Sequence, residues 1–214
     1  MNEEFKENSL LAFSTYKYFN KFYTNLDISD KWRISSGTMN SRGECIRNRR
    51  YTLMLQDLFK EKNMYRKKVS IAEIVSWLDS FIMIRNLFAD LQQIYSYNIL
   101  SQIHIYSEYM IKMSKKMRID YIFQYKDRVL LIELRMVSDF NKIKSTWNKK
   151  KIELLIYKEL LENYIPSDFK IITFALITLP EYDIHKRIDK HIEYNKNQVN
   201  FLKRYISQFL IDEE

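Results

Sequence analysis

Hydrophobic positions recur at helical spacing over residues 4–25, where Leu11, Phe19, Phe22 and Tyr23 predict a first helix. The polar stretch "DISDKWRISSGTMNSRG" interrupts that pattern and holds both glycines, Gly37 and Gly43, so it reads as a loop. A second helix is expected over 44–62. From Ser70 the pattern sharpens: "SIAE" places Ser70 three residues before Glu73, a capping box that opens a helix. That helix is apolar around much of its circumference (Ile71, Ile74, Val75, Leu78, Phe81, Ile82, Phe88), which predicts burial as far as Tyr97–Asn98. "IHIYSEYMI" reads as a strand, and 118–126 and 129–137 as two more. A helix across "TWNKKKIELLIYKELLENY" stops before Pro166. "FKIITFALIT" has the β-branched and aromatic content of a central strand. An amphipathic helix over 182–211 closes the chain, with Ile184, Ile188, Ile192, Val199, Leu202, Ile206 and Phe209 on one stripe. The order from residue 70 is helix, three strands, helix, strand, helix, an α/β layer architecture with a mixed sheet. Residues 1–69 form an α-helical N-terminal extension to this 70–214 core.

Composition narrows the chemistry. The 214 residues are 46% hydrophobic and 15% aromatic, enough for a sizeable core. A formal net charge of +8 points to a polyanionic partner, nucleic acid before membrane. One cysteine, Cys45, leaves no disulfide and no thiolate cluster for structural zinc. Two glycines in all exclude a glycine-rich phosphate loop and a dinucleotide fingerprint. The acidic, polar start "MNEEFKENS" is unlike a secretory or mitochondrial leader. No apolar run reaches the roughly eighteen residues that span a bilayer. A soluble, intracellular protein without a membrane partner is therefore expected.

Within "MRIDYIFQYKDRVLLIELR" three charges interrupt two apolar runs: Asp120, Glu133 and Arg135. Buried strands exclude carboxylates unless these are paired or hold a metal. If the runs form a hairpin turning at Lys126–Asp127, Tyr125 faces Arg128, Ile122 faces Leu131 and Asp120 faces Glu133. Arg135 projects from the same face, two positions on. Two opposed carboxylates repel unless a cation lies between them, so the geometry predicts a divalent-metal site. The three histidines are scattered. His185 and His191, six apart on a predicted helix, point to different faces and read as surface residues.

Asp120, a short apolar strand, a turn and then "LLIELR" resemble the signature of PD-(D/E)xK nucleases, the restriction-endonuclease-like fold. The element order from 70 to 178 is similar to that family's core, about half the chain. The resemblance implies that Asp120 and Glu133 hold Mg²⁺ (or Mn²⁺), joined by the Leu134 carbonyl. Arg135 stands where the family has the lysine that orients the attacking water. The next helix resembles the QxxxY element of the recombination-type branch, with Glu153 at the Gln position and Tyr157 at the Tyr position. Ile119 replaces the proline. Arginine keeps a positive charge but gives up no proton at working pH. Lys149 or Lys150, on the following helix, can supply the amine instead, as in viral cap-snatching endonucleases of this superfamily. A third acid is Glu73, whose ordinary reading is its capping box, or Glu108, whose ordinary reading is an outward strand position.

Two basic runs flank these residues, "KMSKKMR" (112–118) and "KIKSTWNKKK" (142–151). They predict a phosphate-binding rim of Lys115, Lys116, Arg118, Lys144, Lys149, Lys150 and Lys151. Tyr65, Trp147 and Tyr157 are candidates for base stacking, and "RGECIRNRRY" for a DNA-contacting helix. The expected activity is metal-dependent phosphodiester hydrolysis, with DNA ahead of RNA as substrate. Two rivals stand beside it: a degenerate relative that binds nucleic acid or protein without cutting, and an unrelated basic interaction protein. The N-terminal helices are the expected place for a protein partner or a homodimer contact.

Overall fold

The computed structural model describes residues 2–28, 49–62, 69–111, 117–183, 186–187 and 189–212. Its centre is a five-stranded mixed sheet in chain order: β1 (Ser9–Phe13), β2 (His104–Met110), β3 (Arg118–Tyr125), β4 (Arg128–Met136) and β5 (Lys170–Thr178). The first three pairings are antiparallel and β4–β5 is parallel. A parallel neighbour needs a crossover, and a long helix over Ile143–Glu162 supplies it.

Seven helices occur among the described residues: α1 (Glu3–Asn8), α2 (Tyr16–Asn25), α3 (Arg49–Glu61), α4 (Ile71–Leu91), α5 (Tyr97–Leu100), α6 (Ile143–Glu162) and α7 (Asp189–Tyr205). Strand alternation divides the apolar side chains between two cores. Tyr121, Phe123, Leu130 and Ile132 face a layer built from α2, α4 and α7, with Phe19, Phe81, Phe88 and Leu202 at its centre. Ile122, Val129 and Leu131 face α1 and α6, against Phe5, Leu154 and Leu161. The Tyr121 hydroxyl is satisfied by Ser80 Oγ at 2.9 Å inside the larger core. No helix among the described residues is long and apolar enough to cross a membrane.

Several expectations change. The single helix expected over 4–25 is two helices with β1 between them. "SLLAF" buries almost every side chain and pairs with β2, Phe13 opposite Ile105, so long-range pairing overrides the helical spacing. Residues 1–69 thereby contribute the sheet's edge strand, and Phe5 and Phe19 lie in the two cores. The helix from Ser70 ends at Leu91, followed by a turn and the short α5. The closing helix begins at Asp189, after a small hairpin of β6 (Tyr182–Asp183) and β7 (Lys186–Arg187), and finishes in a wider π-type turn over Ile206–Ile211. The loop after Ile28, Cys45, Tyr65, His185, Lys115, Lys116 and most of "RGECIRNRRY" lie outside the described residues.

Lys62, at the end of α3, donates to the backbone carbonyls of Lys6, Glu7 and Ser9. It thus ties α3 to the junction of α1 and β1, where the terminal carbonyls of a short helix need donors.

Candidate functional site

The hairpin has the expected register: Tyr125 lies opposite Arg128, Ile122 opposite Leu131 and Tyr121 opposite Ile132. Its two-residue turn needs a left-handed residue, and Lys126 takes that conformation at φ 52° in place of glycine. One step beyond the Tyr121–Ile132 pair the backbone ladder gives way to side chains. The Leu134 N–H donates to Asp120 Oδ2 at 2.7 Å, and the Asp120 N–H donates to Glu133 Oε1 at 3.4 Å. Each carboxylate therefore reaches across to the neighbouring strand.

Strand β2 extends this row. Ser107 pairs with Tyr121 and Tyr109 with Ile119, which brings Glu108 level with Asp120. Glu108 has a left-handed backbone, φ 53°, which an ordinary residue adopts at a cost of about 1–2 kcal/mol. The reversal breaks strand alternation. Tyr106 and Tyr109, three apart, both meet the ring of Phe5, at 5.4 and 5.5 Å. Glu108 is turned to Arg118, whose Nε lies 2.6 Å from Glu108 Oε2. The outward position that strand alternation assigns to Glu108 is thus corrected: it is only 4% exposed.

Helix α4 delivers a further acid. Ser70 Oγ accepts from the Glu73 N–H as the capping box requires, but the Glu73 carboxylate turns to Arg118, 2.7 Å from Nη1. Arg118 was expected on the nucleic-acid rim. It lies between Glu73 and Glu108 as their counter-ion, with 31% of its side chain exposed.

The opposite side is closed by α6. Lys150, Leu154, Tyr157 and Leu161 recur at helical spacing on the stripe that meets the sheet. The Lys150 ammonium donates to Glu133 Oε2 at 2.7 Å and to Glu153 Oε2 at 2.6 Å. Glu133 is 2% exposed. Arg135, two residues along β4, is exposed, as are Lys144, Lys149 and Lys151 on α6. Lys151 lies over the Trp147 ring at 5.3 Å. Tyr157 is half-buried beside Glu133 and Glu153.

Burial dominates the electrostatics. It pushes the Glu133 carboxyl up to about 8, helped by the Asp120 charge and opposed by Lys150. Burial also raises Asp120, against the Leu134 N–H and Lys150, and raises Glu108 well above the usual range, against Arg118. Burial lowers the affinity of Lys150 for its proton, but the Glu133 charge and two carboxylate hydrogen bonds outweigh it, so the amine is held above its usual range. The Tyr157 hydroxyl is pushed up to about 12, by burial and then by Glu133 and Glu153. The row is short of positive charge.

Among the described residues no three His, Cys, Asp or Glu side chains converge as a ready metal-binding group. Asp120, half-buried, and Glu133, buried, are nevertheless adjacent, and a cation between them would favour the ionised form of both. Hard oxygen donors in a charge-deficient row fit Mg²⁺ or Mn²⁺. His191 bonds the Pro180 carbonyl at 2.8 Å and meets the edge of Phe140, away from this row. Comparisons of the chain with protein-family models, with curated proteins and with solved structures find no match.

Proposed function

We propose that the chain is a metal-dependent nuclease of the PD-(D/E)xK type, hydrolysing phosphodiester bonds in nucleic acid, DNA in the first instance. The observation that supports this most is the juxtaposition of half-buried Asp120 and buried Glu133 on adjacent strands with the Lys150 ammonium on Glu133. In this reading Asp120 and Glu133, with the Leu134 carbonyl, hold Mg²⁺ or Mn²⁺, and Glu73 or Glu108 supplies further negative charge. The bound cation supplies an acidified water and neutralises charge growing on the phosphate.

Lys150 takes the part of the signature lysine from the neighbouring helix. Its proton is held more tightly than in a free lysine, so at neutral pH it acts as a fixed positive charge and not as a base. Arg135, exposed and on the same strand as Glu133, is placed to take a phosphate oxygen through its planar fork. Lys144 and Lys151, seven apart on one exposed face of α6, form a basic rim for the strand that enters. Tyr157, its hydroxyl pushed up to about 12 by burial, keeps its proton at neutral pH beside Glu133 and Glu153.

The test is incubation with supercoiled plasmid, linear duplex, single-stranded DNA and RNA in Mg²⁺ or Mn²⁺. At least one should be cut, and both EDTA and Glu133→Gln should abolish cutting. A nucleic acid bound but left intact would replace this reading with a non-cutting binder, in which Arg118 and Lys150 are permanent internal counter-ions. If nothing is cut or bound, and neither metal binds, the nuclease reading fails.

A further inference from the structure

The outward side of α6 has an apolar stripe that the fold leaves uncovered. Ile152, Leu155 and Ile156 are 60%, 47% and 42% exposed, at the i, i+3, i+4 spacing of one helix face. Leu154 and Leu161, on the opposite side, satisfy the packing of α6 on the sheet, so the outer three take no part in this chain's core. Charge is divided about them. Lys144, Lys149 and Lys151 precede the stripe, while Glu159 and Glu162 follow it. All five are exposed. Lys158 softens the acidic end through its 3.7 Å pair with Glu162 but leaves Glu159 untouched.

A helix with an apolar centre, one basic end and one acidic end is complementary to itself when reversed. We propose that this face of α6 pairs antiparallel with α6 of a second copy of the chain, about a two-fold axis near residue 154. The axis places Ile152 against the partner's Ile156, and Lys149 against the partner's Glu159, and repeats each contact by symmetry. A parallel pair would set lysines against lysines. A nucleic acid is the poorer occupant, since it would meet Glu159 and Glu162 as well as the lysines. The N-terminal helices are poorer too, because Phe5 and Phe19 already face this chain's cores. One helix pair is a small contact, so a reversible dimer is expected, populated as concentration rises toward about 0.1–0.5 mM.

Sedimentation velocity of the full chain, from about 1 µM to about 0.5 mM, reads this directly. The wild-type protein should shift from monomer toward dimer mass. Leu155→Ser with Ile156→Ser should remain monomeric at every concentration, and its melting temperature reports whether it is folded. Lys149→Glu and Glu159→Lys, surface changes that do not touch the core, should each weaken the dimer about 10-fold, because each places like charges together twice. Their combination should return to within about 3-fold of wild type. A chain that stays monomeric throughout would overturn the proposal, as would a double reversal no better than either single one. The measured mass does not depend on cleavage, so failure of the nuclease reading leaves this test standing.

Discussion

Glu133→Gln should make the protein more stable at alkaline pH while leaving it nearly unchanged in mild acid. Glu133 is buried between Asp120 and Lys150, and its carboxyl is displaced from an ordinary 4.5 to about 8. Between those values the folded chain holds a proton that the unfolded chain has released. The contribution of Glu133 is therefore complete below about pH 4.5 and is lost as pH rises through about 8. The displacement corresponds to at most about 5 kcal/mol. The opposing charge and hydrogen bond of Lys150 are already contained in that displacement. Glu153, 2.6 Å from the same ammonium, keeps Lys150 paired after the substitution. The net expectation is that the stability of Glu133→Gln relative to wild type grows by about 3–4 kcal/mol between pH 5 and pH 8.5. Urea unfolding at several pH values in EDTA, followed by tryptophan fluorescence, measures it. Taking the difference between the two proteins cancels other titrating groups, His104 among them. A difference that is flat with pH, or that shrinks as pH rises, would refute the argument that burial dominates at Glu133.

Lys150→Ala should lower cleavage about 10²-fold or more, and by more than Arg135→Ala, because Lys150 touches Glu133 while Arg135 is exposed. Steady-state kinetics showing the reverse order would return the role of the signature lysine to Arg135. Lys62→Met should cost about 1–3 kcal/mol in denaturant unfolding, by leaving the carbonyls of Lys6, Glu7 and Ser9 without their charged donor. A loss under about 0.5 kcal/mol would show that water replaces the amine without penalty.

The hairpin was legible because side-chain alternation and an even-numbered turn leave one register that buries both apolar faces. The same counting, carried one strand further, brings Glu108 into line with Asp120 and Glu133. The left-handed turn of Glu108 toward Arg118 has no local signature, since it is imposed by packing on both sides of β2. Strand β1 was hidden for another reason. Four consecutive apolar residues inside a longer periodic stretch fit a helix or a strand equally well, and only pairing with the distant β2 decides. For the site's cations, the resemblance points to Arg135, at the lysine position of the triplet that begins with Glu133. Helical spacing carries the signal for Lys150, which shares a stripe with Leu154 and Leu161 and so points at the sheet and Glu133. Arg118 looked like one more member of a basic run, and only the fold brings Glu73 and Glu108 to it.

Edge strand β1 also sets an order of events during synthesis. Strands β2, β3 and β4 follow one another closely, but Phe13 waits for Ile105, which emerges from the ribosome roughly ninety residues later. Until then "SLLAF" is a short apolar segment without its ladder, and afterwards β2 has a bare edge until β1 arrives. The nascent chain is thus most exposed to strand-to-strand aggregation at both partners of a single pairing. A bulky fusion placed just ahead of Ser9 would be expected to delay closure of the sheet more than the same fusion after α7.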